Sequence, residues 1–214
     1  MIKLKELLSL NELKYSDKIK EKHQEKMSRN NSILPDEMSI AETPPPDNGS
    51  KQTLKELHWL LDYNDGKIDN DMIKEGDEVI DVFEKYCKEN NLKFDRSYYK
   101  KVLKESAKII LKLKYHYNRP RPYQLAEFYG IEDFKVHKLD TANTPSYPSG
   151  HSIQGYMMGS ILGNKYPSHY QPFMDLGSFV SESRLMARAH FPSDVSFGES
   201  IGILIFNSIK GKVK

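Results

Sequence analysis

The chain has 214 residues, 29% of them charged and 38% hydrophobic, with a formal net charge of +2 and a mean hydropathy of −0.67. That balance suits one soluble domain with a respectable core and argues against a general nucleic-acid binder, which needs clustered positive excess. The single cysteine, Cys87, excludes an internal disulfide and any multi-cysteine metal site.

In chain order, residues 3–28 read as a highly charged helix with a thin stripe of Leu4, Leu7, Leu8 and Leu13. The opening MIKLKELLSLNELK carries lysines but little apolar length and no small-residue cleavage site, so a cytoplasmic location is expected, or a periplasmic one if a leader was removed. A break follows at Arg29, Asn30, Asn31 and Ser32, then Pro35, then the run Pro44-Pro45-Pro46, which taken alone is a polyproline II linker. Leu54, Leu57, Trp59, Leu60 and Leu61 begin the next helix, with Ser50 or Thr53 as cap. The polar stretch 62–67 lacks the glycine and glutamate positions of a calcium loop and reads as a turn.

Met72, Val79, Ile80, Phe83 and Tyr86 recur with helical spacing from Asp69 to about Asn90. Another helix starts at Asp95 or Ser97 and ends near Asn118; three more cover about 150–164, 168–189 and 194–210. No apolar run approaches the ~18 residues that span a bilayer; the segment 201–206 is core. Without strand alternation or repeats, the expected fold is all-α, a compact helical bundle.

Chemistry concentrates at three helix ends. Four of the six arginines, Arg119, Arg121, Arg184 and Arg188, fall between residues 119 and 188, and arginine is the better fork for phosphate-like oxyanions. Lys114 lies on a last helical turn, and Pro120 and Pro122 hold Arg119 and Arg121 extended just beyond it. Read alone, this is equally a C-terminal cap with solvated bases.

In the stretch Tyr147-Pro148-Ser149-Gly150-His151-Ser152, Ser149 can cap a helix whose unpaired N–H groups would bind an anion beside His151. An ordinary cap with a bystander histidine explains it as well. Finally, Pro192 ends a helix after His190, Ser193 can cap the next, and Asp194 lies across the turn as a partner for one His190 nitrogen. A surface His–Asp contact is the alternative.

Taken together the three clusters read Lys-x6-Arg-Pro, Pro-Ser-Gly-His and Ser-Arg-x5-His-x3-Asp, filled by Lys114, Arg121, Pro122, Pro148, Ser149, Gly150, His151, Ser183, Arg184, His190 and Asp194. This composite resembles the signature of the type 2 phosphatidic acid phosphatase superfamily, PAP2, which includes bacterial class A acid phosphatases and vanadium haloperoxidases. The chain looks most like the soluble class A enzymes over roughly 43–207, with the proline run as an ordered strip on the helical body. Residues 1–42 form a charged helical extension outside the resemblance, and 43–214 the phosphatase-like domain.

The resemblance implies a metal-independent phosphomonoesterase with no cofactor. Lys114, Arg121, Arg184, Ser149 and Gly150 would bind the phosphoryl oxygens. His190 would attack phosphorus, Asp194 would hold its other nitrogen, and His151 would protonate the leaving alcohol. The expected partner is a small phosphate ester such as a nucleotide or sugar phosphate, with diphosphate-type substrates and a homo-oligomer left open. The competing readings are a vanadium-dependent haloperoxidase using the same pocket and a non-catalytic phosphate-binding module. Tyr123, Tyr147 and Phe191 either border the entrance or pack at helix ends. Arg188 either braces Arg184 through a carboxylate or is exposed, and His23, His58, His137 and His169 have no chemical context.

Overall fold

The computed structural model describes residues 10–137, 139 and 141–212. Nine α-helices account for the fold among these residues, and no strand occurs: α1 Glu21–Ser28, α2 Lys51–Asp62, α3 Asn70–Asp77, α4 Val79–Glu89, α5 Arg96–Tyr117, α6 Pro122–Phe128, α7 Gly150–Lys165, α8 Tyr170–Met186 and α9 Pro192–Ile209. The all-α expectation holds. The local signals behave as their chemistry requires: Ser50 Oγ accepts the Thr53 N–H at 3.1 Å, Asp95 accepts that of Tyr98 at 2.9 Å, and Asn118 ends α5 in the left-handed region (φ 49°).

α7 is the axis of the bundle. Ile153, Met157, Met158, Ile161 and Leu162 are buried on several of its faces, with α8 packed on one side and α9 on the other. Close packing at its N-terminus depends on missing side chains: a methyl at Gly198 would stand 2.7 Å from the Ser149 carbonyl and one at Gly202 2.5 Å from that of Ile153. The Ser149 N–H donates to the Asp194 carbonyl at 2.9 Å. The first turns of α7 and α9, which carry the second and third sequence clusters, are thereby held together.

Two expected helices are interrupted. The pattern from Asp69 to Asn90 breaks at Glu78 (φ −99°, ψ 67°). Its halves bury into different clusters: Ile73 joins Met186, Ala187 and Ala189, whereas Val79, Ile80 and Phe83 enter the main core. One straight helix could not serve both, and the turn presents Asp77.

The helix expected over 3–28 is also broken. Leu4, Leu7 and Leu8 lie outside the described residues, and 13–20 are non-helical before α1. There Asn118 pins the chain, its carbonyl accepting the Tyr15 N–H at 3.0 Å and its amide donating to the Ser16 carbonyl at 2.7 Å. α1 packs against α5, Leu34 joins the main core, and Leu10 packs with Leu57 and Leu60. The proline strip lies on the body, with Tyr147 donating to the Thr43 carbonyl at 2.7 Å and the Thr43 N–H donating to Tyr117 Oη at 3.1 Å.

Candidate functional site

The end of α5, the loop before α7 and the α8–α9 corner converge on a cleft of about 300 Å³. Lys114, Arg121, Gly150, His151, Arg184 and His190 all line it. Ser149 and Asp194 stand behind this wall. Both are fully buried, and the Ser149 hydroxyl accepts the Ser152 hydroxyl at 2.9 Å and the Ser152 N–H at 3.3 Å as the α7 cap.

Lys114 is buried (4% exposed), and its ammonium donates to the carbonyls of Pro145 at 2.6 Å and Ser146 at 3.2 Å. Burial, and then Arg121, pushes its pKa well down. Arg121 is buried likewise, and burial brings its pKa to about 10. Its Nε donates to the Thr144 carbonyl at 2.9 Å and its Nη1 to that of Ala189 at 2.8 Å. Neither cation forms an ion pair with a carboxylate among the described residues. Both basic groups are held by neutral acceptors, Lys114 by two carbonyls and Arg121 by two carbonyls, the Thr144 hydroxyl and His190, an arrangement that favours an arriving anion.

His190 faces these cations. Arg121 Nη1 stands 3.0 Å from His190 Nε2, and His190 Nδ1 stands 3.3 Å from Asp194 Oδ2. A guanidinium only donates, so Nε2 carries the lone pair and Nδ1 the proton directed at Asp194. Burial, with Arg121 next, holds the His190 pKa well below its ordinary value, so the ring is neutral.

Asp194 is gripped from several directions. Arg119 donates to its Oδ1 at 2.6 Å, and the Ser146 hydroxyl and the Phe191 N–H (2.9 Å) donate to Oδ2. Burial alone would raise its pKa; the Arg119 charge and the bonds from His190 and Ser146 reverse that and keep it ionised.

His151 lies in the first turn of α7, its Nε2 3.2 Å from Asp77 Oδ1. Asp77 also accepts Arg184 Nη1 at 2.5 Å, while Arg184 Nη2 donates to the Ile73 carbonyl at 2.9 Å. Burial lowers the His151 pKa, and Asp77 and Arg184 then pull it in opposite directions. For Asp77, burial raises the pKa, but His151 and Arg184 more than reverse it.

Several expectations change with the geometry. Ser193 does not cap α9: its N–H and hydroxyl both donate to Glu56 at 2.9 Å, and Asp194 takes the Phe191 N–H instead. Tyr147 and Phe191 do not border the entrance; both are buried, Tyr147 stacked on Phe197 and Phe191 under the Arg119 guanidinium at 3.9 Å. Tyr123 is exposed away from the cleft wall. Asp77, not Arg188, meets Arg184; Arg188 is buried and donates to carbonyls of Leu60, Leu61, Gly66 and Lys135. His23 gains a context, since it is buried on the cleft wall.

Sequence reasoning missed Arg119, Glu56, Asp77 and His23. Arg119 had a signal in the Arg-Pro-Arg-Pro repeat; the other three sit in charged helices where nothing distinguishes them from solvated residues.

Comparison with known proteins follows the same segment. The PAP2 superfamily model matches residues 104–211. A non-specific acid phosphatase of Salmonella typhimurium is 30% identical over 93 residues, 44% of this chain, and one of Salmonella typhi is 30% identical over 95 residues, also 44%. The match spans 36% of the length of each relative. No helix among the described residues is long and apolar enough to cross a membrane.

Proposed function

Because the chain belongs to the PAP2 superfamily, we propose that it hydrolyses small phosphate monoesters through a phosphohistidine intermediate on His190. The observation that carries this reading is the meeting of buried Lys114 and Arg121, unpaired with any described carboxylate, with the lone pair of His190 Nε2, whose only described partner is Arg121. An anion filling the cleft receives both cations and Arg184. Its phosphorus then lies against a neutral nucleophile whose opposite nitrogen is tied to Asp194.

On substrate entry, phosphoryl oxygens replace His190 Nε2 as the acceptor for Arg121. Nε2 forms the bond to phosphorus, the bond from phosphorus to the ester oxygen breaks, and protonated His151 gives that oxygen its proton. The positive charge on the His190 ring is balanced by Asp194. Water then attacks phosphorus, His151 takes its proton, and the nitrogen–phosphorus bond breaks to release phosphate. Charge spread over the equatorial oxygens is met by fixed cations, the arrangement phosphoryl transfer requires. The 30% identity to non-specific acid phosphatases supports this reaction class.

The test is p-nitrophenyl phosphate hydrolysis in EDTA, with and without vanadate, for wild type and His190→Ala. Turnover in EDTA that vanadate blocks, together with a [32P]phosphoenzyme that survives base and is lost in acid, is the expected result. Turnover abolished by EDTA, or unchanged in His190→Ala, overturns the reading.

A further inference from the structure

One wall of the cleft comes from outside the span the family model matches. Lys22, His23 and Lys26 of α1 line it together with His190. His23 is only 3% exposed, with its Nδ1 held 2.7 Å from Tyr115 Oη, next in sequence to Lys114. Its Nε2 makes no hydrogen bond among the described residues. With Nδ1 fixed by Tyr115, the ring is held on the cleft wall with Nε2 open to the cleft and unspent on any described residue, available to a ligand there.

Past Lys26 the cleft continues into a groove of about 1120 Å³ between α1 and α5, where Arg29, Lys100 and Lys104 join the lining. The one carboxylate among its described lining residues, Glu105, is already taken by the N–H groups of Ser32, Ile33 and Leu34. Lys108 is paired with Asp36 at 2.5 Å. Lys22, Lys26, Arg29, Lys100 and Lys104 pair with no carboxylate among the described residues. A lone phosphoryl group is already met by Lys114, Arg121 and Arg184 and does not need this second cationic set.

We propose that the cleft takes phosphate esters carrying a second phosphate, which is bound by Lys22, His23, Lys26 and Arg29. This rests on the hydrolase reading for the reacting phosphate but concerns the other end of the substrate. The surface cations hold the second phosphate by charge, and His23 Nε2 adds a directional hydrogen bond.

The experiment uses matched pairs that differ by one phosphate: fructose 6-phosphate with fructose 1,6-bisphosphate, and AMP with adenosine 3′,5′-bisphosphate. Phosphate release by the full chain should favour each bisphosphate by about tenfold in kcat/KM, a preference that shrinks in about 0.3 M salt. The variant Lys22→Gln/Lys26→Gln/Arg29→Gln changes only exposed side chains and should erase the preference while leaving p-nitrophenyl phosphate turnover unchanged. His23→Gln should weaken it. Calorimetric binding of the same pairs to His190→Ala reads the subsite without turnover. Tighter bisphosphate binding to His190→Ala supports the subsite; if the wild-type chain then releases phosphate from none of the four esters, the hydrolase reading falls while the subsite stands. Equal Kd and equal kcat/KM within each pair, or a preference that survives the triple variant, overturns the subsite.

Discussion

Arg121 Nη1 lies 3.0 Å from His190 Nε2, so the side chain that would grip the phosphoryl group also marks which nitrogen is free to attack it. The contact fixes the tautomer without a proton being located, because arginine has no lone pair to offer. Arg121→Lys keeps a charge but loses the fork that spans the Thr144 and Ala189 carbonyls and His190. It should lower kcat/KM for p-nitrophenyl phosphate by roughly a hundredfold, the scale of losing one preorganised oxyanion donor. Retention of more than half the wild-type kcat/KM would separate Arg121 from the reaction.

Asp194 and Arg119 form the buried pair behind His190, and each removal has its own signature. Asp194→Asn should cut kcat roughly a thousandfold or more by losing control of the His190 tautomer. Arg119→Met leaves the buried carboxylates of Asp194 and Glu56 without their shared cation, at a cost of about 3–5 kcal/mol by chemical denaturation. If Arg119→Met unfolds at the wild-type denaturant concentration, the pair contributes nothing to stability.

Asp77 lies against His151, the acid of the proposed mechanism, and helps set its charge. Its charge raises the His151 pKa, so removing it lowers that pKa further. In the proposed mechanism the acid is protonated His151, and the alkaline limb of the kcat profile should therefore move to lower pH in Asp77→Asn, with a larger loss at pH 7.5 than at pH 5. A limb that stays in place or moves upward would assign the acid to another group.

Stability should fall in two stages on acidification. His190, His151 and His23 all have pKa values below the ordinary 6.5, so the unfolded chain binds protons that the folded one refuses. Their contribution is complete above 6.5 and is lost as pH falls through the folded values. Asp194 and Asp77 are depressed below the ordinary 3.8, so theirs is complete above that value and is lost below it. Thermal unfolding from pH 8 to 3 should show Tm dropping first below about 6.5 and again below about 4. A Tm constant between pH 7.5 and 5 would contradict the histidine stage.

Gly76 permits the close crossing of α3 and α8 that brings Asp77 to Arg184. A methyl there would lie 2.2 Å from Ser183 Oγ and 2.5 Å from Ser183 Cβ. Gly76→Ala should destabilise the fold by about 1–3 kcal/mol, as overpacking does, and lower activity. Adding Ser183→Gly removes the obstructing atoms and should recover part of the stability. Failure of the double variant to exceed Gly76→Ala in denaturant midpoint would remove steric crowding as the cause.

The all-α class, most helix boundaries and the three chemical clusters were legible because each depends on neighbours in sequence. Helical spacing, Ser50 and Asp95 as caps, Asn118 as a terminator and the order from Lys114 to Asp194 need no knowledge of long-range contacts. The broken helices, the Asp77 bridge, the Arg119–Glu56 anchor and the cleft wall from α1 depended on which elements meet. Asp77 and Glu56 resemble any other acid in a charged helix until α3 and α2 pack beside Arg184 and Arg119. His23 is 91 residues before Lys114 along the chain and becomes part of the cleft only because α1 docks on α5. Local chemistry located the three basic and histidine clusters, and their joint order carried the family resemblance. Tertiary packing decided which charges are buried, which are paired, and which nitrogen of His190 is left free, because desolvation and pairing are properties of neighbours in space.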